Sequence, residues 1–407
     1  MEVFQNLFRQ LGGSGDAQVE KKSSLTACRR LPFKGNPEYC PLARSGHRMF
    51  CDGNFMYIIG GYDKGTGDGG FIFKEVWSYS LFTKRWKRLP WPENGPGNLA
   101  SHAVAQMSDW GNEVVLYGGS ALPFGDTNSN EVSLVTAASQ TNCLRFDKIT
   151  TPSSAPALYG HAMCRSQTER DVFYVVGGTT GRAYFMNVWM VRIVDGKGEW
   201  EMISPGDYQH EGLYRLEITH DEVSDRIFML GGGNTQWVDT FDELNAFNLK
   251  TRQFEVVTTK TDQRTRRYPK ERRAHSLVRY DRKLFMAGGL THEEVNEGDV
   301  IPDGTVLGDI WAFDLDTLTW TELGHLIIPV YFHDAAVTKD GRMIIWGGVT
   351  RAFTDERTNQ GQYLYVTPPS LRSLATTAVL EQAPEKEDYC WDDTHSLLSQ
   401  CALEAEE

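Results

Sequence analysis

The sequence predicts an all-β fold, a propeller of six four-stranded blades followed by a short C-terminal helical box, and three observations predict it. An apolar run ending in a glycine pair occurs six times, from Phe55-Met56-Tyr57-Ile58-Ile59-Gly60-Gly61 to the copy that runs from Met343 to Gly348. The second glycines fall at 61, 119, 178, 232, 289 and 348, in steps of 58, 59, 54, 57 and 59 residues. A histidine opens the preceding run in five units, at His47, His102, His161, His275 and His333, and Leu216 takes that place in the fourth. Downstream of the pair the pattern is an acidic or Asn residue, an aliphatic, alternating aromatics, a turn and a closing aromatic, with Asn187-Val188-Trp189 and Trp200 in unit three and Glu243-Leu244 and Phe254 in unit four. Unit one reads Glu75-Val76-Trp77-Ser78-Tyr79 with Trp86 closing, and unit five reads Asp309-Ile310-Trp311-Ala312-Phe313 with Trp320 closing.

A period near fifty that ends each unit in strand and Gly-Gly is the signature of a kelch-type propeller. The physical reason is burial. A four-stranded blade has two apolar faces and covers neither alone, so blades stack face to face around an axis. The innermost strands crowd there, and paired glycines let backbones approach without a Cβ and with positive φ. The Trp and Tyr positions fill the wider gap further out. The repeat glycines, histidines and aromatics are therefore expected to be structural.

Taken in order, residues 1–22 are polar and Gly/Ser-containing after a short apolar start, the composition of a mobile segment. The propeller is expected over residues 23–368. Its sixth unit, from His333 to Tyr363-Leu364-Tyr365-Val366, is one strand short before Pro368-Pro369, and the N-terminal segment is expected to supply that strand. Such closure removes an open sheet edge. The longest loops follow the glycine pairs (Tyr62 to Lys74, Ser120 to Glu131, Leu290 to Gly308, Val349 to Gln362) and share one face with the segments before each histidine. Over residues 369–407 the pattern turns helical. A helix starts at Ser370 after the prolines, with Leu371, Ala375 and Val379 on one face and Leu374 and Ala378 beside them. A weaker helical stretch runs from Thr394 to Leu403, before Glu404, Glu406 and Glu407.

The chain has 407 residues, 40% hydrophobic, and carries 41 basic against 54 acidic residues for a net charge of −13. That balance argues against general nucleic-acid or anionic-membrane binding, which needs a positive surface field. No stretch of about eighteen apolar residues reads as a membrane span, and the start MEVFQNLFRQ lacks the basic and apolar regions of a signal peptide. The seven cysteines are odd in number, widely spread and without a CxxC pair, which points to a reducing compartment, cytoplasm or nucleus.

The segments before each histidine concentrate cations and aromatics in this acidic chain: Arg44, Tyr159, Tyr214-Arg215, Arg272-Arg273 and Tyr331-Phe332. Loops after the glycine pairs add Tyr62, Arg182, Trp237 and Arg351. Arginines ringed by aromatics suit a peptide ending in a carboxylate, gripped by two parallel hydrogen bonds. The bland reading is that some of these arginines make inter-blade salt bridges. An enzyme reading is poor. The chain has no HExxH, GxSxG, P-loop or GxGxxG, and one histidine per blade is repeat logic rather than a convergent site. No metal or cofactor is expected.

Several stretches closely resemble the kelch domain-containing protein 10 family: Ala43-Arg44-Ser45-Gly46-His47-Arg48, Pro123-Phe124-Gly125-Asp126-Thr127-Asn128-Ser129-Asn130 and Tyr159-Gly160-His161-Ala162-Met163. To these are added Gly177-Gly178-Thr179-Thr180-Gly181, Leu307-Gly308-Asp309-Ile310-Trp311 and Pro329-Val330-Tyr331-Phe332-His333, so that the resemblance spans about residues 43–380. It implies a non-catalytic substrate receptor of a cullin-2 RING ubiquitin ligase. The propeller would bind C-terminal degrons ending in glycine or another small residue, and the helical box would bind the elongin B–elongin C adaptor. Ser370-Leu371, Ala375 and Val379 match the family's box, with Ala where Cys is usual; Leu374 lies beside them. Ala383-Pro384-Glu385-Lys386 matches a cullin-2 box only in part. By the same analogy Arg273 and Arg215 would hold the degron carboxylate and Tyr331 and Phe332 would line the pocket. Arg44, Arg272, Tyr214, Tyr159 and Trp237 complete the expected set. The rival expectation is a kelch scaffold or signalling adaptor that uses the same face with no ligase attached.

Overall fold

The computed structural model describes residues 27–65, 69–93, 95–138, 143–152, 154–206, 212–234, 238–291, 304–352 and 354–370, together with Ala375. Six four-stranded antiparallel sheets account for the described chain, with one two-stranded ribbon, Tyr62–Asp63 on Phe71–Ile72. In the first blade the strands run outward from the axis in chain order, Arg48–Cys51, Phe55–Ile59, Val76–Ser80 and Trp86–Leu89. Blades two to five repeat this order, with innermost strands Ala103–Gln106, Ala162–Arg165, Glu217–Asp221 and Ser276–Tyr280. The sixth has Asp334–Val337, Arg342–Trp346 and Gly361–Tyr365 from the end of the chain, and its outer strand is Arg29–Arg30 from the beginning. Arg29 lies opposite Tyr363 and Arg30 opposite Gln362. The two ends of the propeller thus meet in one sheet.

Each repeat histidine is a wedge between two glycine pairs. A Cβ added at Gly118 would lie 2.7 Å from His161 Cε1, and one at Gly178 would lie 2.7 Å from His161 Cβ. The first glycine therefore faces the histidine of the next blade, and the second faces that of its own. The pattern runs round to Gly347, whose Cβ would lie 2.7 Å from His47 Cε1. All twelve repeat glycines have φ between 57° and 108°, where a side chain is strained even without the clash. In blade four the wedge is Leu216, 1% exposed, so the slot accepts an aliphatic of similar length.

Two closed rings of backbone hydrogen bonds lock the blades at this end. In one, the second glycine of each pair donates to the next blade, from Gly61 N–H to the Leu99 carbonyl (2.8 Å) round to Gly348 N–H and the Arg44 carbonyl (2.9 Å). The other joins the residue before each wedge. Ser101 donates to Gly46, Gly160 to Ser101, Arg215 to Gly160, Ala274 to Arg215, Phe332 to Ala274 and Gly46 to Phe332, all at 2.8–3.0 Å. All six of these residues are left-handed, with φ from 54° to 65°, although four carry side chains. Non-glycine residues adopt this conformation only when surrounding bonds over-determine it, and the ring supplies those bonds.

Between the blades lie continuous apolar clusters, such as Val172, Val176, Met186, Leu213, Ile227 and Phe247 where blades three and four meet. Just inside the ring of left-handed residues, Arg48 spans the channel to Glu217 (3.1 Å) and Asp334 (3.3 Å), and its Nε donates to the His102 carbonyl. An axial cavity of ≈ 200 Å³ continues from there between the innermost strands. Towards the opposite end, Trp110 of blade two and Tyr280 of blade five stand 5.7 Å apart, ring centre to ring centre.

Candidate functional site

The mouth of the channel is built from two residues per blade that the scaffold leaves open to variation. The position two before the wedge forms an isolated antiparallel bridge with the residue after the glycine pair, and it is Ser45, Ala100, Tyr159, Tyr214, Arg273 and Tyr331 in blades one to six. The position one before the wedge is the left-handed ring: Gly46, Ser101, Gly160, Arg215, Ala274 and Phe332. Both positions are small in blades one and two, whereas each of blades three to six carries at least one large aromatic or cationic residue. The mouth is therefore asymmetric, although the fold is nearly symmetric.

Around that mouth the aromatics form an unbroken arc. Centroid separations are 5.1 Å from Tyr62 to Phe124, 5.9 Å from Phe124 to Tyr159, 5.8 Å from Tyr159 to Tyr214 and 5.9 Å from Tyr214 to Tyr184. The Arg215 guanidinium carries the arc across the mouth, 5.2 Å from the Tyr214 ring centre and 4.5 Å from that of Phe332. Phe332 in turn packs on Tyr331 at 4.9 Å. The Tyr214 ring lies so close over Gly160 that a Cβ there would meet its ring carbons, which explains the glycine in blade three. At the far end of the arc Arg357 stacks 4.9 Å from the Tyr62 ring centre and donates to Ser45 Oγ at 3.0 Å.

Arg215 Nη2 donates to Ser101 Oγ of blade two. Its buried Nε meets no acceptor among the described residues. Arg273 is half-buried beside the rings of Tyr214, Tyr184 and Tyr331, and its Nη1 donates to the Asn234 carbonyl. Burial pulls its pKa down from the ordinary arginine value, against the neighbouring phenols. No carboxylate pairs with Arg215 or Arg273 among the described residues. Two guanidiniums beside aromatic faces, with no carboxylate partner among the described residues, have the hydrogen-bonding chemistry that a carboxylate or phosphate oxygen requires.

Two arginines expected at this face are not there. Arg44 is fully buried (0% exposed), 2.5 Å from Glu75 Oε1, bonded to the Leu42 and Gly60 carbonyls and stacked 3.7 Å over Phe73. Arg272 is equally buried and grips Asp309 with two bonds of 2.7 Å while donating to the Lys270 and Gly288 carbonyls. Burial pushes the Asp309 carboxyl up, but the Arg272 bonds and charge outweigh it and hold it below the ordinary value. In both units the tryptophan indole N–H, Trp77 or Trp311, bonds the same carboxylate. These arginines do make structural salt bridges, but each bridge lies within its own blade, one and five, rather than between blades as the bland reading had it. They sit three residues before the wedge, where the other blades carry buried Leu99, Leu158, Leu213 and Val330. That run of aliphatics was the sequence signal for an interior position.

Tyr159, Tyr214, Arg215, Arg273, Tyr331 and Phe332 are brought together at the mouth. Trp237, Leu371, Leu374 and Val379 lie outside the described residues, and Ala375 is described as helical. The sequence reading missed Ser101, Phe124, Tyr184 and Arg357. Phe124 and Tyr184 were visible as aromatics in the loops after the glycine pairs, but Ser101 carried no signal without the ring geometry. Among the described residues no three His, Cys, Asp or Glu side chains converge to hold a metal.

Comparison with known proteins agrees with this architecture. The family model for the KLHDC2/KLHL20/DRC7 kelch-repeats domain matches residues 23–232 and 160–365. Kelch domain-containing protein 10 of Homo sapiens is 32% identical over 401 residues, covering 93% of this chain and 85% of that protein. The Xenopus laevis protein of the same name is 32% identical over 370 residues, covering 88% and 83%. The Drosophila melanogaster homolog is 30% identical over 366 residues, covering 83% of this chain and 57% of its own length. With the repeats, the closed ring and these relatives in agreement, the chain belongs to the kelch domain-containing protein 10 family.

Proposed function

We propose that this kelch propeller is the substrate-recognition subunit of a cullin-2–elongin B/C ubiquitin ligase, and that its channel mouth captures protein C-termini. A protein-interaction role is the common ground for a kelch propeller, and the chemistry of the mouth narrows the partner. The observation that carries the reading is that neither Arg215 nor Arg273 has a carboxylate partner among the described residues while each lies against aromatic rings of the mouth, Arg215 on Tyr214 and Phe332 and Arg273 beside Tyr214, Tyr184 and Tyr331. A terminal carboxylate entering this site would exchange water for charge-assisted hydrogen bonds in a partly desolvated pocket. Because the Arg215 guanidinium and the Tyr214 ring already fill the space over Gly46 and Gly160, the room left at the axis suits a small last residue, with the preceding residues laid over the aromatic arc. The receptor does no bond chemistry itself. Its task is to hold the degron while ubiquitin transfer happens on the attached ligase.

Two measurements test the reading. A fluorescent peptide ending in glycine should bind with its free carboxylate and lose most of its affinity as the C-terminal amide. Elongin B–elongin C should co-purify with the wild type and not with Leu371→Asp. If the peptide binds and the adaptor does not, the chain is a scaffold that reads C-termini without a ligase. Equal binding of acid and amide removes the carboxylate assignment.

A further inference from the structure

We infer that Ser101 is a positioning residue for the anion site: across the channel mouth it holds Arg215 in the orientation that leaves its remaining donors for a ligand. The inference rests on the carboxylate-binding reading of this face and adds a residue to it.

The geometry is unusual for a serine–arginine pair. Arg215 belongs to blade four and Ser101 to blade two, with the Gly160 of blade three between them in the hydrogen-bonded ring. From blade four the guanidinium reaches Ser101 Oγ, lies 4.5 Å from the Phe332 ring centre in blade six, and comes within 3.8 Å of where a Cβ would stand on Gly46 in blade one. Contacts to blades one, two and six from blade four place it over the propeller axis. Stacking on Tyr214 and Phe332 sets the plane of the guanidinium, but a ring face does not choose which edge is presented. The Ser101 hydroxyl makes that choice. It accepts from Nη2, and Nη1, which meets no acceptor among the described residues, is left for the incoming anion. Holding the group in advance lowers the ordering cost of binding.

Ser101 also sits at φ 59°, where glycine is the favoured residue. A serine kept for backbone reasons alone would be better replaced by glycine. That makes Ser101→Gly a variant in which stability and ligand positioning move in opposite directions.

The test uses the full chain, a fluorescent peptide ending in a free glycine carboxylate and its C-terminal amide, with Ser101→Gly, Arg215→Gln and the double variant. Ser101→Gly is expected to weaken the free-acid peptide about tenfold, a difference of about 1.4 kcal/mol, while its thermal midpoint stays level or rises. The double variant should bind no more weakly than Arg215→Gln, since Ser101 acts through Arg215. Unchanged binding by Ser101→Gly, or losses that add in the double variant, would overturn the inference. A wild type that binds acid and amide alike would instead defeat the carboxylate reading. The Arg215 Nε–H resonance separates the two failures. Restricted guanidinium rotation in the wild type and free rotation in Ser101→Gly would show the hold itself, and equal rotation in both would remove it.

Discussion

Replacing His161 by leucine should flatten the acid limb of the stability curve while leaving neutral stability nearly intact. His161 is 0% exposed, wedged between Gly118 and Gly178, and among the described residues neither ring nitrogen meets a hydrogen-bond partner. Burial, helped by the nearby Arg48 charge, pushes its pKa down to about 3, against an ordinary value of about 6.5. The folded pKa is depressed, so below about 6.5 the unfolded chain takes up a proton that the native state refuses. Stability is full above that value and falls as pH drops towards 3. From pH 7 to pH 5 one such histidine costs about 2 kcal/mol, and the full window costs about 5 kcal/mol. His102 and His333 are also pushed down to about 3, and His47 and His275 are pushed down as well, chiefly by burial. Burial raises the carboxyls of Glu217 and Asp334, which act in the opposite sense. Leu216 shows that the wedge slot takes leucine. Urea unfolding at pH 7 and pH 5 would compare the two chains, and His161→Leu should lose about 2 kcal/mol less than the wild type between them. An equal acid loss in both would refute the argument that this histidine is buried neutral.

Three further outcomes follow from the same geometry. Gly118→Ala should cost about 3 kcal/mol or more in chemical unfolding, because its Cβ would stand 2.7 Å from His161 Cε1 at φ +68°. Arg272→Met should cost about 3 kcal/mol by leaving the half-buried Asp309 carboxylate without its cation, with the Trp311 indole N–H as its remaining bond, and the loss should appear in the thermal midpoint. Where that variant is folded, its peptide affinity should match the wild type. Arg273→Ala should show the reverse pattern, a thermal midpoint within about 2 °C of the wild type, since among the described residues one carbonyl bond, to Asn234, is given up, and at least tenfold weaker binding of a free-carboxylate peptide in a titration.

Much of the fold was legible in the chain because a repeat states the same requirement six times. Six glycine pairs at steps of 54 to 59 residues give the blade count, and their clash distances show why no other residue serves. The aromatic spacing of unit one, repeated in unit five, announced the shared cluster of Trp77 or Trp311 on an acid. The site was less legible, for the reason that Arg272 and Arg273 illustrate. They are adjacent in sequence and equally cationic, yet one is sealed against Asp309 and the other faces the mouth. Side chains alternate in direction along an extended segment, so a register error of one residue moves a charge from surface to interior. Arg44 failed in the same way.

The sequence by itself determined an all-β propeller of six blades, its glycine and histidine seam, and the face on which cations and aromatics gather. Only the tertiary structure decided which of those cations are available. Pairing of Arg44 with Glu75 and of Arg272 with Asp309 joins residues 31 and 37 positions apart, and the Ser101–Arg215 contact joins residues 114 apart. It also decided which residues make the expected closure, with Arg29 opposite Tyr363 and Arg30 opposite Gln362. Composition and periodicity report what each strand must bury, which is a local property. Which donor finds which acceptor depends on how far blade closure brings distant segments together, and that is a property of the ring as a whole.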